Sequence, residues 1–198
     1  MQVLISKGRK RTERVTDMIE TTIDFTGTGA IDEMILYVAK QSECDRDFGA
    51  VKLQKILFRA DFLHYAKYGR SISGGKYRKR DKGPVLSVYK PVETKLLNRG
   101  DVRIDRVERG PHIQKRLVAL REPDLSRLTG AAIKIIDQAI ASMAGMNAKD
   151  ASDWSHNFVG WQLAGIGEEI PYQTIFVSGR RLTPKERARG LELAANRE

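Results

Sequence analysis

Between Ala50 and Tyr68 the apolar residues return at steps of three and four. Leu53, Ile56, Leu57, Ala60 and Leu63 fall on one face, and His64 shares it. That spacing predicts a long amphipathic helix. Lys52, Lys55, Arg59 and Asp61 lie largely outside the stripe, as expected for a charged, solvated face. Gly69 follows at once and tolerates the positive φ that ends a helix. A helix of this kind must bury its stripe, so the rest of the chain has to supply a core around it.

The flanking segments supply one. Ile31, Met34, Ile35 and Val38 predict a helix over Ala30–Lys40. Arg70–Lys82 reads as short strands or turns, with Gly74-Gly75 as a bend. Gly83-Pro84 is able to start a helix, so Val85–Leu97 is expected to be helical, Pro91 marking a kink or a late start. Val102, Ile104 and Val107, then Ile113, Leu117, Val118 and Leu120, flank Arg109-Gly110-Pro111 and predict a β-hairpin. Ile133, Ile136, Ile140 and Met143 predict a helix within Ser126–Gly145. Asn147 with Asp150 forms a capping-box-like start for a short helix through Trp154. Thr183-Pro184 with Glu186 starts a last, charged helix near Pro184–Asn196. The expected fold is mainly α, of the α+β class: a single globular helical domain with a small β-hairpin or sheet. It divides into a basic N-terminal arm at 1–26, a domain at 27–179 and a charged C-terminal helix or tail at 180–198.

The 198 residues suit one domain with tails. Apolar residues make up 41%, enough for a core, and the formal charge is +10. Such a balance bears on partners: acidic proteins, nucleic acid or an anionic surface. No apolar run approaches a transmembrane length, so no membrane partner is expected. The first residues lack the apolar stretch of a secretory signal, and the single Cys44 fits a reducing compartment, so the expected location is the cytoplasm.

Catalytic signatures are weak. His64, His112 and His156 are far apart and in no metal spacing. Ser155-His156 are neighbours in sequence, which does not by itself make a nucleophile–base pair. Gly27-Thr28-Gly29 and Ser73-Gly74-Gly75-Lys76 lack the spacing of a phosphate-wrapping loop and read as turns. Glu168-Glu169 are adjacent and point apart. No catalytic residue, metal site or cofactor is therefore expected, and the protein is expected not to be an enzyme.

A basic run is the more informative surface. Lys67, Arg70, Lys76, Arg78, Lys79, Arg80 and Lys82 stand against the single acid Asp81, with Tyr68 and Tyr77 interleaved. Such a patch suits phosphates with aromatic stacking, an acidic protein surface, or simply a solvated loop. The candidate binding residues, for a protein or a nucleic acid, are Lys52, Lys55, Arg59, Tyr68, Arg70, Lys76, Tyr77, Arg78, Lys79, Arg80 and Lys82, with Tyr65 a further possible anchor. Asp61 has a structural alternative: accepting bonds from backbone amides or an arginine in the turn after the helix. A second option places DNA on a winged helix, with Val85–Leu97 as the recognition helix and the hairpin as the wing. Arg103, Arg106, Arg109, Lys115, Arg116 and Arg121 would then meet the phosphate backbone.

An ordered set of residues also resembles a known family. It runs Lys52-Leu53-Gln54-Lys55-Ile56-Leu57, Ala60-Asp61, Tyr68-Gly69-Arg70-Ser71-Ile72, Gly74, Tyr77 and Gly83-Pro84-Val85. Ser152-Asp153-Trp154-Ser155-His156, Trp161 and Gly167-Glu168-Glu169-Ile170-Pro171-Tyr172 follow. The set resembles the Panacea domain, the SocA-like antitoxins of bacterial and phage toxin–antitoxin systems, from roughly Ile31 to Ser178. Trp154 stands where the family more often has Leu, and Phe58 where Tyr is commoner. The resemblance implies a mainly helical domain with a small sheet that binds and neutralises a cognate toxin encoded nearby. It implies no cofactor and no catalytic residue, and it leaves operator DNA open as a second partner.

Overall fold

The computed structural model describes residues 29–177, 183–185 and 188–189. The arm at 1–26 lies outside the described residues, as does most of the C-terminal helix. Within the latter, Pro184, Lys185, Ala188 and Arg189 are helical.

Helix α1 spans Gly29–Gln41 and α2 spans Ala50–Tyr68. Strands β1, Tyr77–Arg80, and β2, Gly83–Leu86, follow. Then come α3, Tyr89–Asn98, and the hairpin β3, Val102–Arg109, with β4, His112–Ala119. A 3₁₀ turn at Leu125–Arg127 leads to α4, Gly130–Ser142. Helices α5, Ala148–His156, and α6, Val159–Leu163, precede the two-residue strand β5, Glu169–Ile170, and a 3₁₀ segment, Tyr172–Phe176. The architecture is mainly helical α+β. One antiparallel sheet has the order β2-β1-β5, and β3-β4 form a separate ribbon. Among the described residues no helix is long and apolar enough to cross a membrane.

Helix α2 is the axis of the domain. It packs against α1, α4, α5, β2, β4 and the last 3₁₀ segment. Enclosure on so many sides buries Lys52 through Phe58 without a break, then Ala60, Asp61, Phe62 and His64. Its C-terminus ends as the sequence predicts: Gly69 takes φ 71°, and its N–H bonds the Tyr65 carbonyl at 2.8 Å.

Helix α1 is buried from Ala30 through Ala39, well beyond its apolar stripe. Its two buried acids are covered by cations from later in the chain. Asp32 meets Lys95 at 2.6 Å and Arg99 at 3.4 Å. Glu33 meets Arg121 at 2.7 and 2.9 Å and accepts from the Asp124 N–H at 2.7 Å. The Arg121 guanidinium beside it holds the Glu33 carboxyl below the usual carboxylate range, against the opposing and larger single effect of burial.

The expected helix at Val85–Leu97 is the main correction. Its first residues form β2, and the helix starts only at Tyr89. The reason is tertiary. Gly83 sits at φ 94°, and β2 pairs with β1 from Tyr77↔Leu86 to Arg80↔Gly83. The Leu86 N–H is held by Gln54 Oε1 at 3.0 Å and the Pro84 carbonyl by Lys55 Nζ at 2.8 Å. Pro91 then falls in the first turn of α3, where a missing N–H costs nothing, so it marks a late start. Elsewhere the local signals hold. The hairpin runs in register from Val102↔Ala119 to Arg109↔His112 around Gly110, at φ 57°. Thr129 caps α4 by accepting from the Ala132 N–H at 3.1 Å. Asn147 and Asp150 form a complete capping box, and α5 extends to His156, past Trp154.

Gly83 is the tightest point of this arrangement. A Cβ there would lie 2.1 Å from Ser155 Oγ and 2.8 Å from Lys55 Nζ. Gly83→Ala is expected to lose about 3 kcal/mol, from the left-handed backbone and the overlap together. Urea denaturation of the two proteins measures it.

Candidate interaction site

The site is built on a buried carboxylate. Asp61 is fully enclosed near the end of α2. Its Oδ1 accepts from the backbone N–H of Ile72 at 2.8 Å and of Ser73 at 2.9 Å. Its Oδ2 accepts from the Tyr77 hydroxyl at 2.8 Å and from the Ser73 hydroxyl. Three donors from the loop after α2 and one from the first residue of β1 thus converge on one side chain. Burial pushes the Asp61 carboxyl up, and these donors pull against that effect. Burial, with the Asp61 charge beside it, pushes the Tyr77 hydroxyl well up, so it remains a donor. The structural alternative for Asp61 is the one the geometry carries.

Burial removes other residues from the candidate surface. Lys52 and Lys55 are each 1% exposed. Lys52 Nζ lies 2.6 Å from Asp45 and donates to the Met146 carbonyl at 2.7 Å. Lys55 holds β2. Tyr77 is fully buried among Phe58, Phe62 and Tyr172. Arg59 is half-buried, with its guanidinium 4.9 Å from the Trp154 ring, and burial lowers its pKa. The expectation of a solvated charged face on α2 fails because α1, α4, α5 and β2 cover it.

What remains exposed is the outer face of β1 and its partner segment. Arg78 donates to the Gly167 carbonyl at 2.9 Å and Lys76 pairs with Glu169 at 2.9 Å. Lys79, half-buried on the opposite, Tyr77 side of the strand, donates to the Ala164 carbonyl at 2.8 Å and sits 4.2 Å over the Trp161 ring. Trp161 donates to the Arg80 carbonyl at 3.3 Å, and His156 stacks on it at 4.0 Å. The side chains of Arg80 and Lys82 are exposed and have no hydrogen-bond or ion-pair partner among the described residues. Between the carbonyls bonded by Lys79 and Arg78 lies Ile166, 62% exposed, and Leu163, 72% exposed, precedes them. An apolar pair beside a cationic strand is the composition of an interface with a polar rim. Sequence reasoning missed Leu163 and Ile166. Their only signal was apolar residues in a short Gly-punctuated stretch with no periodic companions.

At the other end of the basic run, Tyr68 is 44% exposed, with Lys67 5.3 Å over its ring. Arg70 is exposed and lines one cleft with Arg127, the last residue of the 3₁₀ turn before α4. The structure therefore separates the run into two regions rather than one patch. Tyr65 stacks on Tyr172 at 5.2 Å and is half-buried.

The hairpin's cations are mostly committed. Arg116 bonds the Ser42 carbonyl at 3.1 Å, the Asp45 carbonyl at 2.7 Å and also the Glu43 carbonyl, closing the end of α1. Arg109 bonds the Arg46 carbonyl at 2.7 Å, and Arg103 pairs with Asp105 at 2.8 Å. Arg121 serves Glu33 and Asp101. Arg106 and Lys115, opposite each other in the register, stay exposed. Among the described residues no group of three or more His, Cys, Asp or Glu side chains is placed to hold a metal ion.

The family model for the SocA-like antitoxin, Panacea domain, matches residues 53–162. No curated protein and no solved structure matches the chain.

Two outcomes test this account of the buried groups. Asp61→Ala should lose about 3–5 kcal/mol of stability, because it leaves buried donors unpaired; thermal and urea denaturation measure it. Burial pushes the Lys55 ammonium down to about 7. Between pH 7 and the ordinary lysine value of about 10.4, the unfolded chain holds a proton that the fold sheds. This group's cost is thus fully present below about pH 7, and stability rises with pH across that window. Lys55→Met should flatten that rise, measured as urea midpoints at neutral and alkaline pH.

Proposed function

From a chain that belongs to the SocA-like antitoxin Panacea family, we propose a binding protein that neutralises a cognate toxin, encoded nearby, by direct contact. It works without a cofactor and without catalysing a reaction, and it meets its toxin in the cytoplasm. The family membership carries this reading. The surface chemistry supports it: Leu163 and Ile166 offer apolar anchors beside Arg78, Arg80 and Lys82. A partner that fits would present an acidic rim around an apolar patch, and the cationic strand would steer its approach.

Co-expression with the product of the adjacent gene tests the reading. Rescue of growth and a co-purifying complex are the expected result. A harmless neighbour that forms no complex would overturn it, and steep salt-dependent binding to the chain's own promoter would then favour a DNA-binding regulator. Arg80→Glu with Lys82→Glu should slow association with the toxin about tenfold at low salt, since steering by surface charge acts on encounter. Surface plasmon resonance measures this, and an unchanged rate removes the β1 face from the interface.

A further inference from the structure

The β3-β4 ribbon has one closed edge and one open edge. Helices α1 and α2 pack against β4. At Gly49 the chain runs so close that a Cβ there would lie 3.4 Å from the Lys115 carbonyl. The other edge belongs to β3. The Leu120 N–H bonds the Asp101 carbonyl at 2.8 Å, one step before the Val102↔Ala119 pair. Bonded and unbonded pairs alternate along an antiparallel ladder. Asp101↔Leu120 therefore fixes the parity. Arg103, Asp105, Val107 and Arg109 bond β4, while Ile104, Arg106 and Glu108 turn their N–H and C=O groups outward. Those outward groups have no hydrogen-bond partner among the described residues.

A strand edge of this length is a template for another strand unless something blunts it. Nothing does so here by backbone means. Residues 102–109 contain no proline, and their register with β4 runs without a bulge. Charge of one sign would repel a second copy of the same edge, but this edge carries both signs: Arg103, Asp105, Arg106, Glu108 and Arg109. Arg106 and Glu108 are exposed and make no hydrogen bond or ion pair among the described residues. Arg106 also faces Lys115 across the ribbon, a like-charge pair that costs stability until an acid answers it.

We propose that the free edge of β3 pairs antiparallel with β3 of a second copy of this chain, about a two-fold axis at Val107. The two ribbons then form one sheet of order β4-β3-β3-β4. A two-fold axis normal to the sheet keeps matching faces together, so only residues of equal parity oppose one another. With the axis at Val107, Arg106 opposes the second copy's Glu108, Asp105 opposes the second copy's Arg109, and symmetry repeats each pair. No like charges meet. The parity agrees: Val107 bonds β4, so it sits on the axis as an unbonded pair, while Arg106 and Glu108 exchange their outward N–H and C=O groups. An axis at Asp105, Arg106 or Glu108 sets that charge against its own copy. An axis at Ile104 forms only the Arg103–Asp105 pair and its repeat. Asp105 is shared with Arg103 at 2.8 Å, and Arg109 with the Arg46 carbonyl at 2.7 Å. The uncommitted Arg106 and Glu108 therefore set the register. Pairing over 105–109 buries less than the ~1,200 Å² of a standard interface, so the dimer is concentration-dependent. These residues are not part of the β1 face, and the pairing does not rest on the toxin reading.

Sedimentation velocity of the full chain over a range of concentrations tests it. A reversible monomer–dimer equilibrium is expected. Arg106→Glu and Glu108→Arg should each weaken the dimer about tenfold or more, because each sets like charges across the axis twice. Arg106→Glu gains Lys115 as a partner within its own hairpin, so the fold is kept. The double variant R106E/E108R should restore the dimer, since the same pairs form with their signs exchanged; a hairpin that had merely lost its fold would not recover. The register has its own readout. Unbonded antiparallel pairs hold their Cα atoms about 4.5 Å apart, within disulfide reach. With the exposed Cys44 replaced by Ser, Val107→Cys should give a disulfide-linked dimer on mild oxidation and Arg103→Cys should not. A chain that is monomeric at every concentration overturns the proposal. So does a dimer that survives Arg106→Glu and leaves Val107→Cys unlinked. A monomer whose Arg106 serves a steeply salt-dependent complex with duplex DNA assigns the hairpin to nucleic acid and overturns it equally.

Discussion

Asp61 organises the centre of this domain. One carboxylate at the end of the central helix gathers two backbone amides and one hydroxyl from the loop that follows, and a second hydroxyl from Tyr77. That convergence turns the chain back from α2 and sets Tyr77, the first residue of β1, into the core. Strand β1 then becomes the middle of the sheet, with β2 on one side and β5 on the other. The sheet in turn brings residues 164–169 against Arg78 and Lys79. The candidate interaction face therefore depends on a hydrogen-bond cluster that touches no partner itself.

Three residues of α2 extend the same principle to β2 and to the start of α5. Gln54 and Lys55 hold the Leu86 amide and the Pro84 carbonyl, on the strand edge that β1 does not use. Lys52 holds the Met146 carbonyl just before α5, with Asp45 as its counter-charge. A backbone edge inside a protein needs partners for its polar groups, and long polar side chains supply them here. This explains physically why a run such as Lys52-Leu53-Gln54-Lys55 and a distant Gly83-Pro84-Val85 occur together. One holds the other, and Gly83 leaves room for the lysine that does so. Helix α1 shows the complementary solution, with buried acids answered by Lys95, Arg99 and Arg121 from later segments.

Much of the fold was legible in the residues. Helix α2 was read to its ends because a strong apolar stripe stops at a glycine. The hairpin was read because two alternating runs flank Gly110-Pro111, and α5 because Asn147 and Asp150 cap locally. The start of α3 was misjudged because Gly83-Pro84 suits either a helix start or a strand, and the side chains that decide lie on α2. The site was less legible. Arg78, Lys79 and Arg80 were found as a basic cluster, but Leu163 and Ile166 carried no periodic signal. Lys52, Lys55 and Tyr77 looked like surface residues and are core.

By itself, then, the sequence determined the family, the helical character, and the places where elements begin and end by caps, glycines and alternation. Those signals act over a few residues, so they survive without knowledge of what packs nearby. Tertiary structure alone decided which charges are buried and which face solvent. A lysine off the apolar stripe is exposed on a free helix and enclosed on one surrounded by three others and a strand. The partners that make this tolerable, the Pro84 carbonyl for Lys55 and the Met146 carbonyl for Lys52, lie tens of residues away. No local pattern encodes that distance.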